Sequence, residues 1–206
     1  MLIDDPQAFV GAFASPATYT ASGAGAPIQA IVEAGATWDG INSSLRDTYN
    51  HGQVRLAMAW VDPASLPTTP VFGHTLEQGD VTWTVQDAWS EGDMCVLGLA
   101  SGVFVVDVTV QRDTEVSDGS LGHTQSPVSI WSGKAAVHGL SGKERRLAAR
   151  EIGVGYRAGW MPACPALAAG CRIVTPQEVL HVTNAYTDHA RGWTVFEAEA
   201  RQEEQN

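Results

Sequence analysis

Residues 85–100, VQDAWSEGDMCVLGLA, read as a hydrophobic strand, a polar turn and a second strand. Residues 182–200, VTNAYTDHARGWTVFEAEA, read the same way. The shared core is Val-x-(Asp/Asn)-Ala-aromatic-(Ser/Thr)-acidic, over Val85–Glu91 in one copy and Val182–Asp188 in the other. A chain that writes one strand ending twice is expected to hold two copies of one β unit. The likeness extends upstream: LEQGDVTW precedes the first copy and LAAGCRIV the second, which aligns Leu76 and Gly79 with Leu167 and Gly170 as a turn that launches a strand. Eight positions then separate Gly79 from Asp87 and fourteen separate Gly170 from Asn184, a difference assigned to a hairpin turn at TPQE, 175–178.

Most of the remaining chain is short runs with period-2 alternation or β-branched residues, cut by Gly, Pro, Asn and Asp. In the first half these are ATYTA, PIQAIVEA, QVRLAMAW, VTWTVQDAW and MCVLGLA; in the second, VFVVDVTVQR, SPVSIWSGKAAVH, VGYRAGW, CRIVT, VLHVTNAY and GWTVFEAEA. Five or six short antiparallel strands per half predict an all-β chain of two tandem small barrels, residues 1–101 and 102–200, with a polar tail at 201–206. Only Ser101 and Gly102 lie outside strand-like sequence at the junction, so a nearly continuous strand is expected to run from one barrel to the other. Two short helices are expected. DDPQAFVGAF, 4–13, offers Asp4 or Asp5 as a cap and Pro6 in the first turn, and SGKERRLAARE, 141–151, opens with the Ser141/Glu144 capping-box spacing.

With 206 residues, 44% of them hydrophobic, the chain can bury a substantial core. No run approaches the roughly 18 apolar residues of a membrane span, and the start MLIDDPQAF lacks a basic, then apolar, secretory leader, so a non-membrane protein made in the cytoplasm is expected. Cys95, Cys164 and Cys171 contain no Cys-x-x-Cys pair and read as buried or incidental thiols. The net charge of -11 is uneven: residues 1–100 hold 11 acidic side chains against only Arg46 and Arg55, whereas 101–206 hold 12 against 10. A front half this acidic repels phosphate backbones and argues against sequence-tolerant DNA binding, while suiting a surface that DNA passes without sticking.

No catalytic constellation is expected, and no metal or cofactor. The six histidines form no His-Glu-x-x-His pair. GLSGKERR is no phosphate loop, because Val137 stands where the first glycine belongs and Glu144 where the magnesium-binding hydroxyl belongs; Ser141 also lacks the Gly-x-Ser-x-Gly setting of a nucleophile elbow. Glu91 and Asp93 read as a solvated hairpin tip, and the seven tryptophans as core or interface packing more than as stacking platforms. The distinctive charge feature is Lys143, Arg145, Arg146 and Arg150 on the second expected helix, a candidate docking face for an acidic partner, including the acidic half of a neighbouring subunit. The long segment TWDGINSSLRDTYNHGQ, 37–53, reads as a partner-facing or lumen-facing loop and adds Trp38, Asp39, Arg46 and Tyr49 as interface candidates; the connection 138–158 is its counterpart in the second half.

Residues 102–200 resemble the head-closure (head-tail joining) proteins of long-tailed bacteriophages. QR at 111–112, IWSGKAAV at 130–137, LSGKERRLAARE at 140–151, GYRAGW at 155–160 and the closing hairpin at 179–200 carry the resemblance. Residues 4–101 resemble the head-completion or tail-attachment barrels of lambda-like phages, through ATYTASGAGAPIQAIVEA, 17–34, and LEQGDVTWTVQDAWSEGDMCVLGLAS, 76–101, departing from them at 37–53. The resemblance implies a structural virion protein of the neck, assembled in the host cytoplasm. It would form a homo-oligomeric ring, six-fold or twelve-fold, joining the portal or adaptor of the filled head to tail terminator or tail-tube proteins around a channel through which DNA passes. The rival reading is a tandem β-barrel carbohydrate-binding module, with Trp38 or Trp60 as its platform.

Overall fold

The computed structural model describes residues 12–117, 123–139 and 155–200, and these are mostly β. Twelve strands run in chain order: β1 Ser15–Thr20, β2 Gly25–Ala34, β3 Arg55–Val61, β4 Thr75–Gln78, β5 Val81–Glu91, β6 Met94–Ser101, β7 Val105–Ser117, β8 His123–Gly139, β9 Gly155–Pro162, β10 Arg172–Val174, β11 Val179–Asp188 and β12 Trp193–Ala200. They close into two antiparallel barrels, β1-β2-β3-β6-β5-β4 and β7-β8-β9-β12-β11-β10, with the same strand order in each. Closure removes the sheet edges that an open six-stranded sheet would leave unpaired. The chain divides between Val103 and Phe104. The junction is not a continuous strand: Gly102 takes φ +85° and the β ladder stops from Gly102 to Phe104.

Each barrel has its own core, as period-2 alternation requires of strands with one buried face. Tyr19, Ile28, Val61, Leu76, Trp83, Val85, Leu97 and Leu99 fill the first. Val108, Val110, Met161, Ile173, Leu180, Val182, Phe196 and Ala198 fill the second, with Cys164, Leu167 and Cys171 added from the β9–β10 connection. All three cysteines are free thiols. In the first core the fully buried Tyr19 satisfies its hydroxyl against Nδ1 of His74 at 2.7 Å.

The internal repeat is more regular than the sequence suggests. Val85 exchanges backbone bonds with Gly73 and His74, and Val182 does so with Gly170 and Cys171. Leu76 faces Trp83 as Ile173 faces Leu180, and Glu77 faces Thr82 as Val174 faces Val179. The true counterpart of Gly170 is therefore Gly73, not Gly79, and no insertion at 175–178 is needed. The mistake has a physical source: TLEQ forms β4, although it has neither a β-branched run nor strict alternation, because β1 and β5 pair with it from both sides.

One further expectation needs correction. Residues 37–53 are not an open loop but include a helix, α1 Ser43–Asn50, whose N-cap Asn42 accepts a bond from the Leu45 amide at 2.8 Å. The helices expected over 4–13 and 141–151 lie outside the described residues, apart from Ala12 and Phe13, which are helical. The second barrel differs from the first mainly in its opening hairpin. Strand β10 pairs with β7 only as far as Gln111, after which β7 and β8 continue as a ribbon of six residue pairs, from Arg112–Val128 to Ser117–His123. At the usual strand rise this ribbon runs about 20 Å past the closed ladder.

Candidate functional site

A structured outer surface lies on the first barrel, and a glycine creates it. On β3 and β6 the inward positions are Ala57, Ala59 and Val61, and Leu97 and Leu99, so Leu56, Met58, Trp60, Val96, Gly98 and Ala100 point outward. Leu56, Val96 and Ala100 are nonetheless buried, together with Trp38, Ile41, Leu45 and Val54 of the segment that links β2 to β3. That segment leaves β2 at Gly35, in the left-handed region at φ +84°, with its amide bonded to the Leu56 carbonyl at 2.8 Å. Trp38 then lies flat over Gly98, where a Cβ would stand only 2.5 Å from the indole Cε2. Burying Trp38, Ile41 and Leu45 contributes about 1.5–3 kcal/mol each, which is what holds so long a connection against the sheet.

Next to Gly98 the repeated strand ending performs its structural task. In the β5–β6 ladder Val85 faces Leu99 and Asp87 faces Gly98, leaving Gln86 as the extra residue of a β-bulge. The bulge reverses the alternation. Val85 points in, Ala88 packs against the core, and Asp87 and Trp89 point out. The second barrel bulges at the equivalent place: Val182 faces Ala198 and Asn184 faces Glu197, with Thr183 as the extra residue. The Val-x-(Asp/Asn)-Ala-aromatic pattern is thus the signature of a bulge, with the aromatic outside: Trp89 half-buried, Tyr186 exposed.

Thr37, Trp38, Asp39, Gly40, Met58, Asp87 and Trp89 enclose a cleft of about 430 Å³ on this face. Oδ2 of Asp87 lies directly over the Cα of Gly40, where any side chain would collide with it, and one oxygen of Asp87 accepts a bond from the Ala88 amide at 2.9 Å. Burial pushes the Asp87 carboxyl above the usual carboxylate range, and the Ala88 amide and the Trp38 indole pull it part of the way back. The Trp38 Nε1 proton, fully buried, lies beside this carboxylate yet outside direct hydrogen-bond geometry. No ion pair forms to Asp87 or Asp39 among the described residues.

The structure brings Trp38 and Asp39 together at this cleft; Arg46, exposed, and Tyr49, half-buried, sit apart from it on α1. Lys143, Arg145, Arg146 and Arg150 lie outside the described residues. Met58, Gly40, Asp87 and Trp89 were not legible as site residues, since only the bulge turns Asp87 and Trp89 outward. Glu91 and Asp93 are exposed at the β5–β6 turn. Among the described residues no group of three or more His, Cys, Asp or Glu is placed to hold a metal, and no helix is long and apolar enough to cross a membrane. None of the seven tryptophans is an exposed platform: Trp38, Trp83, Trp160 and Trp193 are buried, and Trp60, Trp89 and Trp131 are half-buried.

No protein-family model matches the chain, and no curated protein matches it. Among solved structures it is similar to protein SF1141 from Shigella flexneri 2a, at 19% identity over 49% of this chain and 94% of that one, with a TM-score of 0.38.

Proposed function

We propose that the protein is a structural component of the neck of a tailed phage or prophage particle, a ring-forming subunit between the portal or adaptor and the tail. The observation that carries this reading is the duplicated barrel with an arm added to one copy. Two closed barrels of one topology supply rigid bodies for subunit contacts, and the β7–β8 ribbon, whose backbone ladder beyond Gln111 is its own among the described residues and whose base is tied to the barrel by Arg112 on the Ala166 carbonyl and Asp113 on Arg172, supplies reach towards a neighbour. An isolated two-stranded ribbon is marginal in water, so an arm of this length gains most of its order from a partner. The acidic front half suits a surface that DNA slides past. The protein acts as a scaffold, with no reaction assigned to it.

Of the two platforms of the carbohydrate-binding alternative, Trp38 is packed face-down on Gly98 and Trp60 is half-buried on β3, so neither presents an open ring face. The deciding experiment is electron microscopy of intact particles decorated with antibody fragments raised against this chain. Label at the junction of head and tail is the expected result. Label at the tail tip or on the capsid surface, or no label on particles at all, overturns the reading.

A further inference from the structure

We propose that residues 36–51 form a latch on the outer face of the first barrel, one that opens as a unit while the barrel stays closed, and that ionisation of Asp87 loosens it. The segment lies between two glycines in the left-handed region, Gly35 at φ +84° and Gly52 at φ +70°, where the chain swings without a Cβ penalty. Its backbone hydrogen bonds are internal: the Ile41 amide on the Trp38 carbonyl, Arg46 on Asn42 and His51 on Asp47. The tie to β3, the Gly35 amide on the Leu56 carbonyl, lies at the hinge itself. What holds the latch down is therefore side-chain packing, chiefly the burial of Trp38, Ile41 and Leu45.

That packing leaves polar groups worse placed than water would leave them. Nε1 of Trp38 and Nδ2 of Asn42 are buried without a hydrogen-bond acceptor in the protein, the Asn42 oxygen alone being used, on the Leu45 amide. Each such donor regains water when the latch lifts, so each favours the open form. Asp87 adds a third group. Its Oδ2 sits against Gly40 of the latch, and no cation lines the cleft around it. Asp39 of the latch is its acidic neighbour there, and Glu33 on β2 stands exposed at the far end of the cross-strand row of Asp87, Gly98, Met58 and Glu33. Burial raises the Asp87 carboxyl above the usual carboxylate range, against the pull of the Ala88 amide and the Trp38 indole. A carboxyl that holds its proton more tightly under the closed latch than in water favours closure while protonated, and that contribution is lost as pH rises through the closed-state pKa. The latch is thus firmest below about pH 4 and loosens as Asp87 ionises. Strands β2, β3, β6 and β5 pair with one another without the latch, so their ladders survive its opening. This inference goes beyond the neck reading and does not rest on it.

The test is native-state hydrogen exchange on the full chain, from about pH 4 to about pH 8, corrected for the intrinsic rate at each pH, with the amides of β3 and β6 as internal reference. In the wild-type chain the latch amides are expected to open at least about tenfold more often than the reference, and the ratio is expected to widen severalfold as Asp87 ionises. In Asp87→Asn the ratio is expected to stay constant with pH. That variant keeps an oxygen for the Ala88 amide, has Asn184 as its counterpart in the second barrel, and is shown to be folded by protection of the reference strands. Asp47 and His51, an exposed pair 3.6 Å apart at the end of the latch, are common to both chains, so their titration cancels in the comparison. Exchange of the latch in step with the barrel, a ratio independent of pH in the wild-type chain, or the same pH dependence in Asp87→Asn each overturns the proposal.

Discussion

Gly98 and Asp87 face each other across β5 and β6, and each carries a testable consequence. At Gly98 the missing side chain is the seat of Trp38, so Gly98→Ala forces the indole off the sheet and is expected to cost about 1–3 kcal/mol, as overpacking does, in urea unfolding followed by tryptophan fluorescence. At Asp87 the sign follows from the raised pKa. A carboxyl that titrates higher in the folded chain than in the unfolded one favours folding while protonated, and that contribution is lost as pH rises through the folded pKa. Ionised Asp87 therefore burdens the fold at neutral pH. Asp87→Asn is expected to raise the melting temperature at about pH 7, with an advantage that shrinks to nothing below about pH 4, where the carboxyl is protonated in both states. An advantage independent of pH would show that the charge is not the cause.

At the scale of elements, the bulge and the core fillings show which parts of the sequence spoke plainly. The repeated strand ending was visible because both copies keep the residues a bulge must sort, valine and alanine inward and the aromatic outward. That they mark a bulge was not visible, since only the pairing partner reveals that two residues oppose one. Deletion of Gln86 removes the extra residue yet keeps Val85 in and Trp89 out, so cooperative unfolding is expected to survive. Deletion of Ala88 turns Trp89 into the core and is expected to abolish it; circular dichroism melts distinguish the two. A second pairing reads the same way across the barrels. Ala59 faces Leu97 in the first, Gly159 faces Phe196 in the second, and a Cβ on Gly159 would collide with the Ala136 carbonyl oxygen and stand 2.5 Å from the Phe196 ring. Gly159→Ala is expected to destabilise by at least about 1–3 kcal/mol, and Phe196→Leu in the same chain to restore only the share due to the ring, leaving the share due to the Ala136 backbone, measured as a double-mutant cycle. Helix α1 escaped the sequence reading because its polar face dominates; the Asn42 cap and the Leu45 and Thr48 spacing were its only signals.

For the whole chain, the division between Val103 and Phe104 leaves every buried residue of one core cluster on one side and every residue of the other cluster on the other. Residues 1–103 and 104–206, expressed separately, are each expected to unfold cooperatively on heating; a fragment lacking a calorimetric transition would show that its core is not self-sufficient. Alternation, turn residues and the doubled strand ending by themselves determined two β units, most of their strands and the acidic bias of the first, because these depend on local periodicity and composition. The true register of the repeat, the ribbon arm and the cleft were decided only in tertiary structure. Each depends on contacts between distant segments: β4 is a strand because β1 and β5 flank it, Trp38 is buried because Gly98 admits it, and Asp87 meets Gly40 because a bulge turns it outward.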